Sequence, residues 1–262
     1  RKRQMNNLDK KQKSFHADHY RKILDENRID GFVNPNSIWY WMHTYCLEQI
    51  KDFFQKIPKS YILTVGDGYC GREAGYIKKY GHKVHSSDVA TCLIEVGKNM
   101  GLIDEFSEQD VSDLTFEDNT FDYCLSKECL HHISMPYKGI YEMMRVSKKG
   151  IIIIEPNGDF DSKYQMSHFE ESGNYCFRFD SSELMKVGLS MGYKYFVIAY
   201  SNMFYGYHNL ENIKEGREDE EKSRLLKLND EMKVKPLLVF LMLKNVEDYD
   251  IFNSQNFKKM NI

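Results

Sequence analysis

Short apolar runs alternate with amphipathic stretches through most of the chain. The runs with the length and composition of strands are YILTV from Tyr61, HKVHSS, FDYCLS, GIIIIEP, YKYFVIAYS and, after an insertion, PLLVFLMLK. Between the first five runs, helical spacing predicts helices over 71–80, 90–100, 135–146 and 181–192. This alternation predicts an α/β fold with a mostly parallel sheet. The branched run GIIIIEP predicts a strand that is buried on both faces.

The segments that flank this core have other patterns. Apolar residues at helical spacing predict a helical extension within residues 1–35 and one longer helix over 38–57. The first turn of that longer helix is apolar on every side, which predicts a second covering layer or a pocket there. We place the core domain at 36–245 with an insertion at about 202–234, whose charged part has the pattern of a solvated helix. Residues 246–262 are predicted to be a polar, loosely held tail.

The composition and charge of the chain argue against several classes of function. The chain has 262 residues with 36 Lys and Arg against 39 Asp and Glu, so its net charge of -3 disfavours nucleic acid as a partner. Its apolar runs are too short for a membrane span, and no signal segment opens it. The six cysteines are scattered without a CxxC pair, which favours reduced thiols in the cytoplasm.

A glycine-rich turn follows the first predicted strand. Gly66, Gly68 and Gly71 form GxGxxG, and Asp88 follows about 20 residues later, at the end of the second predicted strand. This spacing predicts a site for an adenosine cofactor but does not choose which one. A nicotinamide dehydrogenase would need a Tyr–Lys pair one helical turn apart. Tyr123 and Lys127 have that spacing on a strand, where their ends lie about 13 Å apart, so the dehydrogenase hypothesis is disfavoured.

The downstream motifs resemble class I S-adenosylmethionine-dependent methyltransferases. ILTVGDGYCGREA is similar to their first motif, SSD to the motif with their ribose acid, EQDVSDLTFEDNTFDYCLSKECLHHI to their adenine-contacting segment and fourth strand, and MMRVSKKGIIIIEP to their fifth strand. The resemblance implies a Rossmann-like, mostly parallel sheet with an antiparallel C-terminal strand. It also implies S-adenosylmethionine as cofactor and S-adenosylhomocysteine as product. The cofactor-binding residues that it implies are Gly66, Asp67, Gly68, Asp88, Asp110, Val111 and Lys127.

Two positions depart from the family motif, and several short stretches resemble one group within the family. Thr64 replaces an acid that the family often carries, and Cys70 takes the place of the third family glycine. The stretches VGDGxxGREA, KExxHH, IEPN and EESGNY resemble methyltransferases from bacterial surface-polysaccharide gene clusters. That resemblance implies a sugar or nucleotide-linked sugar hydroxyl as the methyl acceptor.

Candidate catalytic residues follow the fourth predicted strand. Methyl transfer from a sulfonium needs mainly alignment, but a hydroxyl acceptor must lose a proton, for which histidine is suited near neutral pH. His131 and His132 lie at the carboxyl edge of the sheet, and we favour His132 as the base. Lys127 and Glu128 share this loop as candidates for contacts with ligand. No third ligand with suitable spacing accompanies the two histidines, so no metal site is predicted.

Acceptor specificity is expected from segments around the core. The candidates are Tyr40, His43, Glu128, Asn157, His168, Tyr175 and Arg178. Aromatic rings can stack on a sugar, and Arg178 can hold a phosphate. The sequence leaves three alternatives open, which are a small-molecule N-methyltransferase, a noncatalytic partner subunit that keeps the cofactor fold and, more distantly, a nicotinamide oxidoreductase. It also leaves the oligomeric state open, with a homo-oligomer as one option.

Overall fold

The strands form one mixed sheet. A computed structural model describes residues 7–159, 169, 175–202, 217–232, 235–252 and 257–261, with side chains from residue 10 onward. Its strands are β1 (Tyr61–Val65), β2 (Lys83–Asp88), β3 (Glu105–Glu108), β4 (Phe121–Lys127), β5 (Ser147–Pro156), β6 (Tyr195–Ser201), β7 (Leu237–Leu243) and β8 (Lys258–Asn261). Their order is β3-β2-β1-β4-β5-β7-β6-β8. The first five strands pair in parallel, whereas β7 runs antiparallel to β5 and β6, and β8 antiparallel to β6. The predicted fold class is confirmed.

Helices cover both faces of the sheet. They are α1 (Asn7–Asp25), α2 (Asp30–Val33), α3 (Ile38–Gln49), α4 (Lys51–Lys56), α5 (Arg72–Lys78), α6 (Cys92–Asn99), α7 (Pro136–Val146), α8 (Ser181–Ser190), α9 (Glu218–Glu231) and α10 (Val246–Asp250). Phe53 and Ile77 belong to the apolar cluster on one face, and Met143 and Leu184 to the cluster on the other. The central strands are therefore buried on both sides, as the run GIIIIEP predicts.

The N-terminal helices pack on the carboxyl edge of the sheet instead of extending into solvent. Tyr20 and Ile23 of α1 are buried against Leu93 of α6. On α3, Ile38 and Met42 pack against Leu225 of α9, which confirms a second covering layer over that apolar helix start. The insertion thus contributes a packed helix within its described residues.

Three details differ from the expectations. The predicted helix over 38–57 divides at Ile50, whose φ of -107° and ψ of 16° end α3 while its side chain stays fully buried. The short edge strand β3 was not predicted. The described residues after Asn245 are not loose, because Tyr249 and Phe252 pack into the core and Asp248 accepts a hydrogen bond from the Tyr123 hydroxyl.

Candidate active site

A pocket lies at the carboxyl ends of β1, β2 and β4. It is an open cleft with about 950 Å³ of space between protein atoms, a volume that includes the solvent at its mouth. The strand order reverses between β1 and β4, and open α/β sheets bind ligands outside the carboxyl ends of their strands at such a point. One part, here named the β2 end, is lined by Asp88, Val89, Asp110 and Val111. The other, the β4 end, is lined by Glu128, Cys129 and His132 together with His16 of α1.

The glycine turn forms the floor of the pocket. Gly66 has a φ of 69°, and a Cβ there would lie 2.2 Å from the Cys129 sulfur, so the loop after β4 packs directly on the turn. A Cβ on Gly68 would lie 2.1 Å from the Tyr20 hydroxyl. Gly68 therefore lets α1 approach the turn as closely as it does.

Asp88 supplies a buried carboxylate at the β2 end. Its Oδ1 accepts a hydrogen bond from the backbone N–H of Ala90 at 2.9 Å. Burial raises the pKa of Asp88 to about 7, although backbone N–H donors act in the opposite direction. A ligand that donates hydroxyl hydrogens to this carboxylate would stabilise its charged form.

Asp110 and Val111 follow β3 and complete the β2 end. The Asp110 Oδ1 accepts from the Ser112 backbone N–H at 2.8 Å and from the Ser112 hydroxyl at 2.7 Å, which fixes its direction. Val111 adds an apolar surface beside it. A carboxylate next to an apolar wall suits a flat heterocycle that carries an exocyclic amino group.

Asp67 lies beneath the pocket and does not line it. Its carboxylate accepts from the Thr64 hydroxyl at 2.8 Å and from the backbone N–H groups of Glu73 and Ala74 at 3.1 and 2.9 Å. Burial and the nearby Glu73 raise its pKa. Asp67 therefore ties the glycine turn to the start of α5, and its bond to Thr64 accounts for the hydroxyl at that motif position.

Lys127 is also buried and lies outside the pocket lining. Its ammonium contacts the carboxylates of Glu73 at 3.7 Å and Glu128 at 2.5 Å. Arg72 gives a further buried pair with Glu73 at 2.6 Å. Of this charged cluster, Glu128 lines the β4 end of the pocket, and its φ is positive, at 49°.

The two adjacent histidines take different positions. His132 lines the pocket. His131 is buried behind it, where its Nδ1 lies 2.7 Å from the Glu155 carboxylate. The two rings lie 3.7 Å apart between centroids, and the His16 ring faces His132 at 6.0 Å from the other side. Of the two candidate bases, His132 alone lines the described pocket.

The acceptor candidates are spread over several places. Tyr40 and His43 on α3 face the charged cluster; burial and Glu73 raise the pKa of Tyr40 to about 12, and burial, Arg72 and Lys127 lower that of His43. Trp39 stacks on the His43 ring at 5.5 Å. None of these three side chains lines the pocket.

The other acceptor candidates follow β5. Asn157 is fully buried and donates to the Lys235 carbonyl at 2.9 Å, so it connects two chain segments. Arg178 donates to the Asn157 carbonyl at 3.3 Å. Tyr175 is 43% exposed and packs on Phe177, whose backbone N–H donates to the His131 carbonyl at 3.2 Å. His168 lies outside the described residues.

One face of α1 was missed by the sequence analysis. Gln12, His16 and Tyr20 recur every fourth residue and all line the pocket, together with Lys13, which pairs with Glu108 at the end of β3. Such spacing of polar and aromatic residues on a helix is the signal that could have identified this wall. It was overlooked because the helix lies far from the glycine turn in sequence.

Comparison with known families identifies the central part of the chain. Residues 63–154, from β1 to β5, match a family model described as "Methyltransferase domain". This part of the chain is therefore similar to methyltransferase domains. The matched residues include both strands whose ends flank the reversal of strand order, and they carry Asp88, Asp110 and His132.

A curated relative resembles part of this chain. A norajmaline N-methyltransferase of Rauvolfia serpentina is 32% identical over 111 residues, which are 40% of this chain and 38% of that protein. The chain thus spans about two fifths of the length of that curated relative.

Solved structures share the fold at low identity. A SAM-dependent methyltransferase from Archaeoglobus fulgidus has a TM-score of 0.55 at 13% identity and covers 77% of this chain and 92% of its own. Phosphoethanolamine N-methyltransferase 2 of Haemonchus contortus, in complex with S-adenosyl-L-methionine, has a TM-score of 0.52 at 16% identity over 79% and 56% of the two chains. Both comparisons concern the architecture alone.

The residues that line the pocket fit S-adenosylmethionine by their chemistry. The Asp88 carboxylate could accept from ribose hydroxyls, and the Asp110 carboxylate beside Val111 could hold an adenine. In the part of the chain that the structure describes, no group of three metal-ligating side chains is found. No described helix is long and apolar enough to cross a membrane.

Proposed function

We propose that this chain transfers the methyl group of S-adenosylmethionine to a small-molecule nucleophile, and that His132 accepts the proton which that nucleophile loses. The observation that carries the proposal is the placement of an imidazole and a ribose-type acid at opposite ends of one pocket, in His132 and Asp88. When bound, the cofactor supplies an electrophilic methyl group whose bonding electrons remain on sulfur, leaving neutral S-adenosylhomocysteine.

The chain's own residues orient the two reactants. Asp88 accepts from the ribose, and Asp110 with Val111 holds the adenine, which leaves the reactive end toward the β4 end. His132 takes the proton from the acceptor as the lone pair of the acceptor forms the new bond to carbon. The wall of α1 closes the pocket beside it and excludes water, with Tyr20 3% exposed.

The acceptor that we favour is a hydroxyl of a sugar or nucleotide-linked sugar, as in bacterial surface-polysaccharide synthesis. A hydroxyl is a weak nucleophile at neutral pH, so it needs a base such as His132. Phe177 lies between Tyr175 and Arg178 in the sequence, and its backbone N–H donates to the His131 carbonyl. This hydrogen bond connects the segment with Tyr175 and Arg178 to the loop of the proposed base, which supports a sugar or nucleotide-linked sugar as the acceptor. An aromatic ring and a guanidinium are suited to a sugar face and a phosphate.

An amine of a small metabolite is the second candidate. It is favoured by the names of the relatives, which are N-methyltransferases. Glu128 also lines the β4 end and carries a carboxylate that can attract an ammonium group.

The cytoplasm is the compartment that we propose for either reaction, since all six cysteines, which lie within the described residues, are free thiols.

Two measurements test the proposal. Calorimetric titration with S-adenosylmethionine, S-adenosylhomocysteine and NAD should show binding of the first two and none of the third. Labelled S-adenosylmethionine is then offered with pools of nucleotide-linked sugars and of amines, and mass spectrometry identifies the methylated product. Absence of cofactor binding would instead favour a noncatalytic subunit, and binding of NAD alone would contradict the methyltransferase assignment.

A further inference from the structure

A fully buried carboxylate lies behind the pocket. Glu155 on β5 is 0% exposed, and a charge at that depth requires hydrogen-bond donors. Its Oε1 accepts from the backbone N–H groups of Cys129 and Leu130 at 3.0 and 2.8 Å and from the Ser126 hydroxyl at 3.2 Å. Burial alone would raise the pKa of Glu155, but His131 and these donors together lower it. Glu155 is therefore ionised and determines the path of the loop after β4.

The second oxygen of Glu155 determines the protonation of His131. Its Oε2 lies 2.7 Å from the His131 Nδ1, and a carboxylate can only accept, so Nδ1 carries the proton. The His131 carbonyl accepts from the Phe177 backbone N–H at 3.2 Å. His131 is held from both sides, and its orientation is fixed.

The ring of His131 in turn supports the ring of His132. Their centroids are 3.7 Å apart with an interplanar angle of 40°, which leaves the His132 imidazole against a fixed neighbour on one side and the open pocket on the other. The Glu155–His131 pair therefore limits the orientations that the His132 ring can take.

We propose that Glu155 is a positioning residue that acts through His131 to orient the His132 imidazole. The inference rests on the proposed role of His132 as base. The other charged or titratable groups that line the same pocket are Lys13, His16, Tyr20, Tyr69, Asp88, Asp110, Glu128 and Cys129. These remain unchanged in the variants below, so they act equally in every comparison.

Glu155→Gln is the direct test, because it keeps the shape but replaces the acceptor facing His131 with an amide. The ring signals of histidine-labelled protein are recorded by NMR, with the His132 signal assigned from a His132→Gln variant. We expect His131 to move its proton from Nδ1 to Nε2, because the amide NH₂ then faces its ring, and the His132 ring signals to shift. We also expect kcat to fall about tenfold, with the affinity for S-adenosylhomocysteine within twofold.

Asp248→Asn is the matched control. It removes a buried, hydrogen-bonded carboxylate that contacts Tyr123 away from the pocket, and it should leave the His131 and His132 ring signals unchanged. If Glu155→Gln leaves both histidine signals as in the wild type, the proposal is wrong. It is equally wrong if kcat falls while the His132 ring signals stay in place, since that result means a structural role only.

A second variant covers the case in which Glu155→Gln does not fold. His131→Asn retains a donor for Glu155 but removes the ring beside His132, and we expect the His132 signal to broaden or shift while the fold persists. An unchanged His132 signal would overturn the proposal. Should His132→Ala keep full activity, the base assignment fails, whereas the NMR spectra of the Glu155→Gln protein still decide independently whether Glu155 orients the His132 ring.

Discussion

The two ends of the pocket differ in how the chain builds them. At the β2 end, Asp88 is the last residue of β2, and Asp110 and Val111 come shortly after β3, within one stretch of about two dozen residues. The β4 end combines Glu128 and His132 with His16, more than a hundred residues earlier. A site made of local strand ends can be read from one motif, whereas a site that joins a distant helix to a loop is defined only by packing.

The largest effect is expected at the β4 end. His132→Ala should lower kcat by about 10²–10⁴-fold at neutral pH because the proton acceptor is lost. The affinity for S-adenosylhomocysteine should stay within twofold, since the β2 end is unchanged. Steady-state kinetics and calorimetry provide the two numbers. His19→Ala is the matched control, as His19 lies on α1 outside the pocket lining and contacts the Tyr69 hydroxyl. Equal rates for all three proteins would exclude His132 as the base.

Asp88→Asn should affect binding more than chemistry. We expect S-adenosylhomocysteine to bind about 10–100-fold more weakly, because an amide replaces a charged acceptor. The pKa of Asp88 in the ligand-free protein is about 7, so wild-type affinity should fall as the pH drops below about 7, where the carboxyl gains a proton. The variant should lack this dependence in calorimetry at several pH values, and parallel curves would contradict the prediction.

The Asp88 carboxyl should also affect stability, although less than it affects binding. Its replacement should weaken binding but stabilise the ligand-free protein. The pKa of Asp88 is raised in the folded protein, so the native state holds the proton more tightly than the unfolded chain. Its stabilising contribution is present at low pH and lost as the pH rises through about 7. Without ligand at pH 8, Asp88→Asn should therefore be more stable by about 1–3 kcal/mol, and the difference should vanish near pH 4. Thermal unfolding at both pH values measures this. A variant that is less stable at pH 8 would show that the wild-type charge is better compensated than proposed.

The smallest effect is expected where α1 meets β3 at the surface. Lys13 pairs with Glu108, but the two side chains are 36% and 58% exposed. Lys13→Ala should change stability by less than about 1 kcal/mol and the affinity for S-adenosylhomocysteine by less than about twofold. Tyr20→Ala on the same helix is the contrast, since Tyr20 is buried against Gly68, and it should cost considerably more. If the two variants behave alike, the ion pair and not the aromatic contact holds α1 in place.

Much of the fold could be predicted because its pattern is local. Apolar runs marked β1, β2, β4, β5, β6 and β7, and the spacing between Gly66 and Asp88 located the β2 end. The edge strand β3 was missed because its sequence, EFSE, has a single apolar residue and it is paired on one side only. The packing of the C-terminal segment was missed because it depends on Tyr249 and Phe252 contacting residues far away in sequence.

The candidate site could also be predicted only in part, because some of its features depend on residues that are distant in the sequence. His132 could be proposed from its place after β4, but the separation of its role from that of His131 depends on Glu155, which arrives from a neighbouring strand. Asp67 has the sequence context of a ligand contact and instead bonds to Thr64 and the start of α5. A side chain in a turn can point to either side of it, and the sequence does not specify which.

The two edge strands of the sheet, β3 and β8, affect how copies of this chain can associate. β3 and β8 each have four residues, and each carries two charged side chains, Glu105 and Glu108 on one and Lys258 and Lys259 on the other. Short, charged edges offer few free backbone groups to a neighbouring sheet. Concentrated protein should therefore resist fibrillar aggregation through addition of strands to β3 or β8.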